Sequence, residues 1–201
     1  MSSFLLVKED NMTLTCRCEY KFEAELPKHN NLRLKKMLSA LEEGAFMSVK
    51  CPECKTTFIP DMDYIVTISD LEQIFEVRSY LDKHIAEIKK GVSNKKHNRL
   101  VFGIAELKEK IYLLRDRLND IIIEKIKGTF YRKTDQDYRL RYFTKDEDNL
   151  IFSVLDPYNN LIGHTKFPFS HYLEVKSSTD LDQELNQYYP GYVSVSEKKN
   201  A

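Results

Sequence analysis

Tryptophan is absent from this 201-residue chain, and only 6 glycines and 6 prolines occur. So few glycines leave little scope for backbone cradles around phosphate, and neither G-x-x-x-x-G-K-[ST] nor G-x-G-x-x-G is present. H-E-x-x-H and G-x-S-x-G are also missing, so no zinc-protease helix or nucleophile elbow is signalled. No apolar run approaches the roughly 18 residues of a membrane-spanning helix. Met1 to Val7 has neither a basic start nor an adequate apolar stretch, so no signal peptide is read there. The expected compartment is therefore the cytoplasm, where disulfides are disfavoured. A net charge is lacking too: 31 Lys+Arg balance 31 Asp+Glu, so the whole molecule exerts no general pull on nucleic acid.

Cysteine is scarce as well, but its placement is informative. The 4 cysteines form two close pairs, Cys16-Arg17-Cys18 and Cys51-Pro52-Glu53-Cys54. Thiolates clustered in this way suit a tetrahedral Zn²⁺ ion with sulfur ligands at about 2.3 Å. Two cysteines with two residues between them can curl so that both sulfurs face one ion, and Pro52 stiffens that turn. The first pair is tighter. In a strand Cys16 and Cys18 would point to one face, and both could ligate with more strain. The 32 residues between the pairs exceed the usual zinc-ribbon spacing and must hold structure of their own.

Three readings compete for these thiols. A structural Zn²⁺ site with Cys16, Cys18, Cys51 and Cys54 as metal ligands leads. A redox dithiol at Cys51 and Cys54 is the second. It wants the motif at the start of a helix, whereas Thr56-Thr57-Phe58-Ile59-Pro60 reads as a strand and a stop. Four unrelated core thiols, or disulfides, are the third.

Periodicity organises the rest. Tyr20, Phe22, Ala24 and Leu26 alternate with charged residues, a half-buried strand ended by Pro27. Leu34, Met37, Leu38 and Leu41 repeat at helical spacing, with Asn30 or Asn31 as the cap and Gly44 as the stop. Phe46 to Val49 reads as a strand feeding the second cysteine pair. Tyr64 to Ile68 is strand-like. Beyond it, one long helix from Ser69 and a return strand over Ile74 to Arg78 followed by a helix near Ser79 fit equally well. Gly91 to Asn98 is a polar, basic linker. Two helical stretches follow, one through Ile104, Leu107, Ile111 and Leu114, the other through Leu118, Ile121, Ile122 and Ile126. From Tyr138 the period becomes two, predicting strands over 138–142, 150–155 and 161–167, the last two joined by the turn Asp156-Pro157-Tyr158-Asn159-Asn160. Leu181 and Leu185 suggest a last short helix before a Tyr-rich tail.

Charge is unevenly spread. Residues 1–75 carry 9 basic and 12 acidic side chains, residues 76–145 carry 18 and 10, and residues 146–201 carry 4 and 9. The basic middle reads first as solvated helix faces and second as a patch for an acidic partner. Its densest cluster is Lys89, Lys90, Lys95, Lys96 and Arg99 with His97, and no aromatic interleaves it for base stacking. His84, His97, His164 and His171 have no partner at helical spacing and read as surface or satisfied core residues. The acidic pairs Glu23/Glu25 and Asp135/Asp137 read as solvated.

In the order of these elements the chain resembles the CpXC family of bacteria and archaea. Three stretches carry the likeness: Cys51-Pro52-Glu53-Cys54 with the strand after it; Tyr64-Ile-Val-Thr-Ile-Ser-Asp70 with Ile74-Phe-Glu-Val77; and Arg99-Leu-Val101, Glu106-Leu-Lys-Glu-Lys-Ile111, Leu118-Asn-Asp120 and Ile123-Glu-Lys125. It spans about residues 12–130 and favours the hairpin over 64–78. The first pair departs from the family's pattern, lacking the proline and one spacer. Should Cys16 or Cys18 miss the metal, His29 is the nearest substitute, although it reads as a surface residue. The resemblance implies an α+β, zinc-ribbon-like protein and brings no established activity with it.

The expected architecture is a zinc-ribbon-like, β-rich lobe with an inserted helix over residues 1–90. An α+β lobe of two helices and an antiparallel sheet follows over 99–190, then a tail over 191–201. Four thiolates close a zinc ion to substrate, so the expected function is a non-enzymatic zinc-binding module that acts by binding another protein. Nucleic-acid binding through the basic 76–145 region is the alternative, and thiol oxidoreductase activity the second. Oligomeric state is not legible.

Overall fold

The fold is α+β, seen in a computed structural model that describes residues 9–81, 98–132 and 137–194. Strands β1 (Glu9–Thr15) and β2 (Lys21–Pro27) form an antiparallel hairpin whose turn holds the first cysteine pair. After β3 (His29–Leu32) the chain forms helix α1 (Leu34–Glu42). A second, very short hairpin, β4 (Val49–Lys50) and β5 (Thr57–Phe58), then carries the second pair. Strands β6 (Tyr64–Ile68), β7 (Gln73–Arg78) and β8 (Asn98–Phe102) complete a four-stranded sheet of order β3-β6-β7-β8. Its central pair is an antiparallel hairpin, and both outer strands run parallel to their neighbours. The parallel return from β3 to β6 makes room for α1 and the second cysteine hairpin.

The hairpin over 64–78 is therefore real, with Glu72 at φ 51° in its turn. Alternation explains it: Tyr64, Val66 and Ile68, with Phe75 and Val77, turn one face inward against Met37 and Leu41 of α1. Helix α2 (Gly103–Arg115) adds Leu107 and Ile111 to this core. One residue further round, its Tyr112 and Leu113 belong to a second core with α3 (Asp120–Tyr131). The antiparallel sheet of β9 (Arg139–Lys145), β10 (Asn149–Leu155) and β11 (Leu161–Pro168) covers that core. Leu140, Tyr142, Leu150 and Phe152 face inward there, meeting Ile122, Ile123 and Ile126 of α3. Helices α4 (Phe169–Ser177) and α5 (Leu181–Leu185) finish the fold.

Several local expectations change. Asn30 and Asn31 do not cap α1, because they pair with β6 as part of β3. The first helical N–H, that of Leu34, is met from across the sheet by Asp70 Oδ1 at 3.0 Å. Gly44 does end the helix, at φ +67°. The strand expected over Phe46 to Val49 shrinks to Val49–Lys50, since Phe46 and Met47 turn into the core. The linker Gly91 to Asn98 lies, except for Asn98, outside the described residues, as do Lys89, Lys90, Lys95, Lys96, His97, His84 and Asp135.

The solvated-face reading of the basic middle also needs correction. Lys127 is buried between Glu109 at 2.6 Å and Glu124 at 2.7 Å, and the two carboxylates hold its ammonium charged against the cost of burial. Asp120 lies 2.8 Å from Arg99 Nε and 3.1 Å from Lys110 Nζ. Burial raises its carboxyl, but the two cations outweigh that and hold it well below the usual range. Part of the basic excess is thus spent inside the molecule. Residues at the start of the expected tail are buried too: Tyr192 packs edge-on to Phe102 with ring centroids 5.5 Å apart. Lys110 Nζ donates to the Val193 carbonyl at 3.0 Å, and Leu100 N–H to the Gly191 carbonyl at 3.0 Å.

Candidate metal centre

The two cysteine turns are built alike. In the first, Cys16 N–H donates to Tyr20 O and Glu19 N–H to Cys16 O, each at 2.9 Å. In the second, Cys51 N–H donates to Thr56 O at 2.9 Å and Lys55 N–H to Cys51 O at 3.1 Å. The residue after the second cysteine is left-handed in both, Glu19 at φ 67° and Lys55 at φ 63°. A turn followed by a left-handed residue is a common way to close a short hairpin loop. Each turn thus presents one inner and one outer thiol: Cys16 and Cys51 are buried, Cys18 and Cys54 exposed. The missing proline and spacer of the first pair do not stop Cys18 from reaching the cluster, because it sits in the loop and not in a strand.

All four Sγ atoms lie within 4.8 Å of one another. Cys16 Sγ is 3.5 Å from Cys54 Sγ, and Cys18 Sγ is 3.8 Å from Cys51 Sγ. A tetrahedron of sulfurs about 2.3 Å from a central Zn²⁺ has edges of about 3.8 Å, so the spacing fits an ion. It does not fit disulfides, whose sulfurs sit about 2.05 Å apart, and all four cysteines are free. His29 lies on exposed β3, and among the described residues no histidine or carboxylate joins the group. Four thiol groups are therefore positioned to bind one metal ion.

The electrostatics point the same way. The Thr56 hydroxyl, 3.3 Å away, and the Thr56 backbone pull the Cys54 thiol down to about 6. At Cys18 the Tyr20 backbone acts downward, but desolvation and the neighbouring thiols Cys54, Cys16 and Cys51 outweigh it and push Cys18 up to about 12. Crowded sulfurs resist sharing negative charge, which a cation at their centre would relieve. Thr56 and the two left-handed residues were not picked out from the sequence. Only their adjacency to the cysteines could have signalled them.

Aromatic side chains tie the hairpins together beside the thiols. Phe22 of β2 stacks on Tyr20 at 6.3 Å and meets Phe58 of β5 edge-on at 6.4 Å. Tyr20 and Ile59 are partly open to solvent.

Fold and site together define an α+β module whose two hairpin turns position four clustered cysteines to bind a metal ion. The family described as CpXC protein matches residues 14–127, more than half of the chain, and the chain belongs to that family. No curated protein and no solved structure shows a significant match. No helix among the described residues is long and apolar enough to cross a membrane.

Proposed function

We propose that this protein is a non-enzymatic module in which Cys16, Cys18, Cys51 and Cys54 hold one structural Zn²⁺, zinc-ribbon fashion, and that it acts by binding another protein. The observation that carries the reading is the donor set. Four sulfurs at tetrahedral spacing match Zn²⁺ or an iron–sulfur centre, and four thiolates leave a zinc ion no open position for substrate. Bound there, the ion would supply a cross-link between the hairpins. The chain's own residues do the rest: Pro52 and the left-handed Glu19 and Lys55 set the turns, and Phe22 and Phe58 hold them together.

Four free thiols fit a reducing compartment, so the cytoplasm remains the proposed location. A protein partner is supported by the partly exposed Tyr20 and Ile59 at the metal turns, since aromatic residues are enriched in interfaces. Elemental analysis after zinc-replete expression tests the metal: about one zinc and no iron per chain supports the reading, and less than a tenth of an equivalent overturns it. Affinity capture from native lysate tests the binding. Partners unchanged both by Y20A/I59S and by charge reversal of Lys89, Lys90, Lys95 and Lys96 would remove the protein-binding reading.

A further inference from the structure

The outer face of the β9-β10-β11 sheet lies apart from the metal centre and has no role in the function proposed above. Because Leu150 and Phe152 of β10 face the core, Ile151 and Ser153 face the other way. The register then places Arg141 and His164 on either side of Ser153, and Thr144 and Lys166 on either side of Ile151. The ladder shifts between these rows, and the unpaired residue is Phe143, a bulge that turns its ring outward. That ring lies 5.3 Å from the His164 ring at 35°, and is 46% exposed. A large aromatic in solvent, propped on an imidazole, gains little as part of a core.

Charge selects what could cover it. Strands β9, β10 and β11 contain no aspartate or glutamate, although the chain has 31 acidic residues. The outer rows carry Arg141 and Lys166, whereas Lys145 pairs with core-facing Leu150 and lies over the Phe169 ring. Glu109 and Asp116 meet the core-facing Tyr142 from the helix side, and at the end of this face Asp146 lies 3.3 Å from Lys166. Exposed aromatics on a cationic sheet face are the means by which sheet-based modules take up single-stranded nucleic acid, bases stacking on rings and phosphates meeting cations.

We propose that this face binds single-stranded nucleic acid, with Phe143 and His164 as the stacking platform and Arg141 and Lys166 as phosphate contacts. This goes beyond the metal-stapled protein-binding reading and does not depend on it. The test is a fluorescence-anisotropy titration of the full zinc-loaded chain with labelled 15-mers of deoxythymidine and uridine, and with a 15-base-pair duplex, across salt. Binding should favour the single strands, with a log–log salt slope of about −1.5 for two phosphate contacts. F143A should weaken binding about 5- to 100-fold, F143Y should retain it, and R141E should flatten the salt slope. K35E/K36E, on exposed residues of α1, should change nothing. Failure to bind at low salt, preference for the duplex, or equal affinity of F143A and wild type would each overturn the proposal, including the case in which a protein occupies the face instead. F143L keeps an apolar side chain without a ring, so its loss of binding at an unchanged melting temperature separates stacking from folding.

Discussion

Cys16 and Cys54 stand 38 positions apart in sequence, yet their Sγ atoms lie 3.5 Å from each other. The contact joins the turn of one hairpin to the turn of another, with α1 between them in the chain. Neither hairpin offers four donors alone. A metal bound only by the assembled site would lend its binding free energy to the local fold of residues 12–68.

Substituting Cys51, which is wholly buried, should show that coupling directly. Cys51→Ser is expected to lower bound zinc below a tenth of an equivalent. Amide chemical shifts should change over residues 12–68 and much less over 138–175. Equal disturbance of both regions would show that the metal is not a local cross-link.

The Asp120 site predicts a pH dependence of stability. Arg99 and Lys110 hold this carboxyl below its ordinary range, so its stabilisation is present above the unfolded carboxylate pKa of about 3.9 and is lost as pH falls through the depressed folded value. D120N leaves both cations without their carboxylate and should cost about 3 kcal/mol near neutral pH. In thermal melts, the difference between wild type and D120N should shrink as pH is lowered below about 4. A difference constant with pH would contradict the assignment.

Lys127 serves two carboxylates at once. K127M strands Glu109 and Glu124 in the interior and should destabilise by about 3–5 kcal/mol, measured by urea unfolding. Replacing the three residues together by apolar residues of similar volume should recover most of that loss. No recovery would mean that the hydrogen bond from Tyr142 N–H to Glu109, at 2.6 Å, is the larger contribution.

The lobe boundary proposed near residues 91–98 can be probed with trypsin, which has Lys89, Lys90, Lys95 and Lys96 available there. First cleavage is expected in this stretch, and the two pieces should elute together on gel filtration, because β7 pairs with β8 and α2 contributes to both cores. Early cleavage within Leu118 to Ile126 would contradict the boundary.

What the sequence revealed and what it hid follow one physical rule. Elements that bury a regular stripe were legible: α1 through Met37 and Leu41, β6 through its alternation, and the cysteine frame through its spacing, whereas at β7 periodicity fitted helix and strand alike and only the family resemblance favoured the strand. β3 was missed because His29-Asn30-Asn31-Leu32 is a polar edge strand with a single apolar residue, Leu32, against the core. α4 was missed because it buries only Tyr172 and so has little periodicity to read. The buried charges of α2 and α3 could not be foreseen, since Lys110 and Lys127 look like any solvated lysine until the fold supplies Asp120, Glu109 and Glu124.

Strand β8 ends its sheet, and a sheet margin with open amide groups invites pairing with another chain. The segment around Gly191, Tyr192 and Val193 occupies that margin, taking the Leu100 N–H and shielding Phe102. A chain cut back to residue 187 would keep every cysteine and all eleven described strands, yet uncover a sticky rim. Its first symptom should be self-association at high concentration, well before any loss of bound metal. A fusion partner appended beyond these residues should therefore be gentler on solubility than one that replaces them.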